Sequence, residues 1–205
     1  MLNKLRDSLQ PTMQKLGSGF ASTGLSANFW TGVGLALAFV AAGAYASASE
    51  ELFDIPGWIA AIAGGALLLI SGFFDMVDGA VARVTKQASK KGAFLDSTFD
   101  KIAEVAIFVG IAVGGLANPV WVMVALGLSL LVSYTRARAE SLGVELKGIG
   151  IGERAERMLI LAIIGMIPFT LDMSFGGQMN WAVIIVSIVS GITLIQRIVA
   201  TASKL

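Results

Sequence analysis

The residues best suited to chemistry are four aspartates: Asp75 and Asp78, three positions apart, and Asp96 and Asp100, four apart. Each interval places both carboxylates of a pair on one face of a helix. All four lie in or at the ends of apolar stretches, where an ionisable group is costly to hold and by default signals function. Two antiparallel helices joined by the short segment 84–91 would turn the two faces toward each other. Carboxylates converging in this way repel unless a cation sits among them. An all-oxygen donor set suits Mg2+ or Mn2+, and two ions would suit four aspartates. A plainer reading makes them juxtamembrane ion pairs with Arg83, Lys86 and Lys101; paired acids inside two apolar segments weigh against it.

The chain contains no cysteine and no histidine. That excludes a disulfide framework, a Cys/His zinc site, a Ser-His-Asp triad and a histidine general base. Carboxylates, Lys and Arg, hydroxyls and oxygen-ligated metals remain.

Composition indicates where this chemistry takes place. Of 205 residues, 56% are hydrophobic and only 14% charged, with a mean hydropathy of +0.79. A soluble domain of this size has too little interior to hide so much apolar surface, whereas a bilayer can. The 24 glycines fit as well, because small residues let transmembrane helices approach closely. The expected fold is therefore an all-α membrane protein, with six transmembrane helices behind an N-terminal interfacial amphipathic helix. The spans fall at about 28–48, 57–80, 93–116, 119–139, 156–173 and 180–200. Turns are marked by Glu50, Glu51 and Asp54, by Asn118-Pro119, and by Asp172 through Asn180.

Six spans put all 15 Lys and Arg residues on one side and none on the other. By the positive-inside rule that side is cytoplasmic, and so are both termini and the aspartates. The protein is thus expected to be a multi-pass protein of the plasma membrane. In residues 1–16, Leu2, Leu5, Leu9, Met13 and Leu16 recur at spacings of three and four, with Lys4, Arg6, Asp7 and Lys15 elsewhere. This pattern reads as an amphipathic helix, over about 1–20, lying in the interface. No cleavable signal peptide and no internal repeat are expected, and residues 1–205 read as a single domain.

The run Asp75-x2-Asp78-Gly79-x2-Ala82-Arg83-x8-Gly92-x3-Asp96-x3-Asp100 resembles the signature of the CDP-alcohol phosphotransferases, with every fixed position present. The resemblance implies that Asp75, Asp78 and Asp96 ligate two divalent ions, with Asp100 near the second. It also implies that Asp100 is the general base on an acceptor hydroxyl, whose oxygen attacks the β-phosphorus of a CDP-lipid and displaces CMP. Gly79 and Ala82 would line the cytidine pocket, Arg83 would face the diphosphate, and Gly92 would lie beside Asp96. Asn28 and Thr31 resemble the family's Pro-Asn-x-x-Thr element near the nucleotide, with Ala27 in place of proline. A helix N-terminus capped by Ser26 or Asn28 is an equal reading of that segment. The implied partners are the bilayer, a CDP-lipid donor and a second copy of the chain; no nucleic acid is expected.

The acceptor should be read from two later segments. Ser133-Tyr134-Thr135-Arg136-Ala137-Arg138-Ala139-Glu140 ends the fourth span, and Gly152-Glu153-Arg154-Ala155-Glu156-Arg157 opens the fifth. Arg154 and Arg157 share a helical face and, with Arg136 and Arg138, could hold a phosphate on the acceptor. Positive-inside topology alone would also supply cations here, though not interleaved with Glu140, Glu153 and Glu156. The two segments resemble those of the inositol-phosphate-using branch of the family, which adds Ser133 to the phosphate site. The expected acceptor is therefore myo-inositol phosphate, with CDP-archaeol or CDP-diacylglycerol as donor. Glycerol 3-phosphate is the alternative acceptor. A cation transporter is the remote alternative, which would distribute acids through the membrane depth. Glu104, four residues beyond Asp100, could tune the base or pair with Lys101.

Overall fold

The architecture comes from a computed structural model that describes residues 2–86, 89–146, 148–167 and 177–205, with the backbone alone for residues 2–10. Several expectations lie outside the described residues: most of the turn over Asp172–Asn180, the end of the span over 156–173, Lys147, and the side chains of Leu2, Lys4, Leu5, Arg6, Asp7 and Leu9. Seven helices are seen among the described residues, with no strand. They are α1 (Leu2–Ala21), α2 (Ala27–Ala46), α3 (Gly57–Val84), α4 (Lys90–Val113), α5 (Pro119–Ser141), α6 (Arg154–Met166) and α7 (Gly177–Ala202).

Local signals set the starts of these helices. Ser26 caps α2, its hydroxyl accepting from the Phe29 N–H at 3.3 Å, so Asn28 is left free of the capping role. Ser89 caps α4 through the Gly92 N–H at 3.0 Å. Asn118 caps α5 through the Val120 N–H at 2.9 Å, with Pro119 in the first turn, where its missing donor costs nothing. Helices α3 and α4 run closer together in sequence than expected. The first continues to Val84 and the second begins at Lys90, so Asp78, Gly79, Ala82 and Arg83 share one unbroken helix.

Helices α2, α3, α5 and α7 are long and apolar enough to cross a membrane. Helix α4 gathers Lys90, Lys91, Asp96, Asp100 and Lys101 into its first half, with Glu104 one turn further on, and α6 is described over only 13 residues. In the four apolar helices, between 22% and 39% of the most apolar window is buried inside the protein. The rest of that apolar surface faces outward, which fits a lipid-facing exterior. Side chains such as Phe39, Met123 and Ile195 are at least half exposed.

The interior is built on close helix contacts. Helix α2 packs against both α3 and α4, while direct contact between α3 and α4 is sparse. A Cβ on Gly110 of α4 would fall on the carbonyl oxygen of Ala42 in α2, so only glycine permits this approach. The paired glycines at 64–65 also serve packing. Gly64 lies under the Tyr45 ring, and Gly65 lies against Ala162 and Met166 of α6. In α1, Met13, Leu16, Gly17 and Phe20 are covered, while Thr12, Gln14, Lys15 and Ser18 are exposed. Phe20 meets Trp30 of α2 edge-on at 4.9 Å, and Trp30 stacks on Phe74 of α3 at 5.6 Å. This aromatic cluster fixes α1 over the start of α2, one turn from the aspartates of α3.

Replacing Gly110 with alanine should push α4 away from α2 and lower stability by about 1–3 kcal/mol. Thermal unfolding of the detergent-purified protein reads this directly, and an unchanged midpoint would refute the close-approach argument.

Candidate active site

The carboxylates of Asp75 and Asp78 on α3 and Asp96 on α4 converge. One oxygen from each lies within 4.8 Å of the others. Because α2 rather than α3 supports α4, the two aspartate-bearing helices leave a gap between them, into which these side chains point. Ser71 Oγ donates to the Gly34 carbonyl at 2.8 Å, locking α2 to α3 one turn before Asp75. The same contact brings Thr31 of α2 against the Asp78 carboxylate. Asp78 is 5% exposed, and its Oδ2 has no hydrogen-bond partner. A buried carboxylate oxygen without a partner is costly unless a cation completes it. Asp78 with the half-buried Asp75 and Asp96, all oxygen donors, fits Mg2+ or Mn2+.

Asp100 stands apart from this trio. Its Oδ1 is 2.7 Å from Arg154 Nη1, and the same nitrogen lies 3.2 Å from Asp75 Oδ2. Arg154, expected at the acceptor phosphate, thus reaches from the first residue of α6 into the aspartate cluster.

A cavity of about 890 Å³ extends from this point. Asp75, Asp96 and Asp100 line it together with Lys101, Ser133, Arg136, Arg154 and Arg197, and Glu140 and Glu153 lie among the basic residues. Arg136 is held by Glu140 at 2.9 Å. Arg138 is exposed and does not line the cavity. Its position in helix α5 turns it away from Arg136, since neighbours two apart on a helix do not share a face.

Arg157 differs most from the sequence expectation. It is 1% exposed, and its Nε and Nη2 donate to Glu104 Oε1 at 3.2 and 2.8 Å. Its Nη1 donates to the Gly152 carbonyl at 2.8 Å. The guanidinium touches the cavity wall but is committed to a buried carboxylate, because an unpaired charge at that depth would be very costly. Glu104, wholly buried, also accepts from Lys101 Nζ at 3.1 Å. It is therefore the shared anion of two cations on the cavity wall.

Sequence reasoning missed Arg197. It is 2% exposed on α7, donating from Nε to the Ile149 carbonyl at 3.1 Å and from Nη1 to the Val132 carbonyl at 2.8 Å. Its position inside an apolar span was the available signal. Beside it, Thr193 Oγ1 accepts from the Gly152 N–H at 2.9 Å. Gly150 adopts φ +115° with Thr193 pressed against its Cα, a place for glycine alone. Together these contacts seat the α5–α6 connection on α7 and aim Arg154 at the aspartates.

Where α2 meets α3 and α4, the Asn28 amide oxygen lies beside Gly92, and the Arg83 guanidinium lies over Gly79. Ala82 packs against Ala27, Val77 and Val81. The motif residues of α2, α3 and α4 therefore border one region. The acids stay clustered rather than spread along the helices, which is opposite to the pattern expected of an ion path.

A bundle of apolar helices with a carboxylate cluster beside a cavity lined by acids and arginines has the make-up of a membrane protein with a metal-dependent site for anionic groups. The particular family is shown by comparison. Residues 24–201 match the CDP-alcohol phosphatidyltransferase family, and the chain belongs to it, a transferase of substituted phosphate groups. It is 37% identical over 199 residues to the archaetidylinositol phosphate synthase of Methanothermobacter thermautotrophicus, covering 97% of this chain and 93% of that protein. It is 34% identical over 207 residues to the protein of the same name from Pyrococcus horikoshii, covering 100% and 98%. Among solved structures, Mycobacterium tuberculosis phosphatidylinositol phosphate synthase with CDP-DAG bound superposes with a TM-score of 0.74 at 25% identity, covering 92% of each chain. The same protein in complex with manganese and citrate superposes with a TM-score of 0.75, covering 93% and 89%.

The Glu104–Arg157 pair should behave as a structural unit. Glu104→Ala or Arg157→Ala should each cost roughly 3–5 kcal/mol by stranding a buried charge. Glu104→Leu combined with Arg157→Leu should cost less than the two single losses added, measured by denaturant unfolding. Additive losses would refute the pairing.

Proposed function

We propose that the protein transfers the archaetidyl or phosphatidyl group of a CDP-activated lipid, CDP-archaeol or CDP-diacylglycerol, to a hydroxyl of myo-inositol phosphate and releases CMP. The observation that carries this reading is a single cavity lined both by the aspartates Asp75, Asp96 and Asp100 and by Arg136 and Arg154. A small molecule carrying both a reacting hydroxyl and a phosphate would find a partner there for each group. The names of the archaeal relatives support the same acceptor and donor.

Asp75, Asp78 and Asp96 would hold Mg2+ or Mn2+, two ions with Asp100 at the second, supplying charge neutralisation for the diphosphate. The manganese in the related mycobacterial structure supports a divalent requirement. Asp100 takes the proton from the acceptor hydroxyl. The oxygen so freed forms a bond to the β-phosphorus of the donor as the bond from that phosphorus to the CMP oxygen breaks. Asn28, Thr31, Asp78, Gly79, Ala82, Arg83 and Gly92 border the nucleotide. Ser133, Arg136 and Arg154 bind the acceptor phosphate, while Arg157 and Arg197, committed to Glu104 and to backbone carbonyls, support the wall beside them and Arg138 lies outside the cavity.

In this reading six helices, α2–α7, cross the plasma membrane as one domain, and α1 lies in the interface. The basic residues, both termini and the site are cytoplasmic, where a water-soluble nucleotide and a membrane lipid meet. Two copies form the working dimer.

CMP release from purified protein should require both myo-inositol phosphate and Mg2+ or Mn2+. Glycerol 3-phosphate, free inositol and serine should each support less. Equal rates with free inositol would sink the phosphate-site reading, and a preference for glycerol 3-phosphate would reassign the acceptor. Asp100→Asn should lower kcat by about 100-fold or more while leaving CDP-lipid binding intact. Lost donor binding would instead make Asp100 chiefly a ligand.

A further inference from the structure

Arg154 sits where two functions conflict. Its Nη1 bridges Asp75 Oδ2 at 3.2 Å and Asp100 Oδ1 at 2.7 Å. Asp75 is also one of the three carboxylates whose oxygens converge within 4.8 Å. The same guanidinium lines the cavity together with Ser133, Arg136 and Arg197. Its backbone is anchored independently of either set of partners. The preceding Glu153 N–H is capped by Glu156 Oε2 at 2.6 Å, and the adjoining loop is fastened to α7. Only the side chain is free to choose between the two aspartates and an anion bound beside Arg136.

From this geometry we propose that Arg154 is a tethered cation that competes with divalent metal at Asp75 and Asp100 and is drawn off by a phosphate bound in the cavity. The proposal rests on the acceptor reading above for the identity of that phosphate, but not for the competition itself.

The physical basis is charge balance. A guanidinium 3.2 Å from Asp75 neutralises part of the carboxylate cluster and repels any second cation brought there. It also occupies Asp100, and a carboxylate engaged by arginine is a poor acceptor for a substrate proton. A phosphate dianion beside Arg136 offers the guanidinium a bidentate partner of higher charge than either aspartate. Once Arg154 turns to it, the metal cluster regains its full negative charge and Asp100 is released. Binding of acceptor and of metal would then be cooperative, and each would raise the affinity of the other by the same factor. The device would also disfavour attack by water on the CDP-lipid, because water brings no phosphate to free the base.

The test is Mn2+ binding to the purified full-length protein in detergent, with free Mn2+ read from its electron paramagnetic resonance signal. Wild type is titrated alone, with myo-inositol phosphate, and with inorganic phosphate; Arg154→Gln is titrated alone. Either phosphate should tighten wild-type Mn2+ binding by about fivefold or more. Without any phosphate, Arg154→Gln should bind Mn2+ tighter than wild type by a similar factor. Thermal unfolding of the variant shows whether it is folded, and the wild-type arms need no variant at all. If Arg154→Gln binds Mn2+ no tighter than wild type, or if neither phosphate tightens wild-type binding, the proposal is overturned. If inorganic phosphate tightens binding and myo-inositol phosphate does not, the exchange stands and the acceptor reading fails instead.

Discussion

Four carboxylates held on two neighbouring helices repel one another, and the arrangement of the rest of the molecule answers that repulsion. Asp75, Asp78 and Asp96 converge in the gap between α3 and α4, and Asp100 stands beside them. Asp78 is buried and the other three are only partly exposed, so solvent screens these charges incompletely. The compensation must come from fixed cations or bound ions. Arg154 supplies the first, reaching in from α6 to Asp75 and Asp100. The unpartnered oxygen of Asp78 marks where the second would act.

The gap itself depends on helix α2. Contact between the backbones of α3 and α4 is sparse, so their aspartates meet through side chains alone. Helix α2 supports both, through the Ser71–Gly34 hydrogen bond on one side and the backbone approach of Gly110 to Ala42 on the other. Small residues in this chain therefore do more than let helices approach. They determine which helices approach, and so how far apart the acidic faces stay.

A second layer of charge holds the cavity wall. Glu104 accepts from Arg157 and Lys101, Arg197 donates to two backbone carbonyls, and Thr193 secures the Gly152 N–H. These buried groups are satisfied by one another or by backbone carbonyls, which leaves Arg136, paired with Glu140, and Arg154, paired with Asp75 and Asp100, as the arginines whose partners themselves line the cavity. A positively charged pocket in an apolar bundle needs such a division. Some cations must be fixed by anions and carbonyls so that others can be offered to a ligand.

The helices, their order, the aspartate motif and the family were legible in the sequence, because each depends on local spacing. An apolar run of about twenty residues, a pair of acids three or four apart, or a capping serine makes the same statement wherever it sits. The cations could not be sorted in this way. Arg154 and Arg157 are three residues apart on one helix face and looked equivalent, yet one meets Asp75 and Asp100 while the other is buried on Glu104. Arg136 and Arg138 looked like a pair, yet only the first lines the cavity, and Arg197 went unremarked at the end of the chain. Which partner an arginine finds depends on the helix brought opposite it, across 53 residues for Arg157 and 65 for the Arg197–Val132 contact. Sequence alone determined that carboxylates and arginines would gather at one end of an apolar bundle. Only the tertiary structure decided which of them neutralise each other and which remain to act, because that division is set by distances between helices that no local spacing encodes.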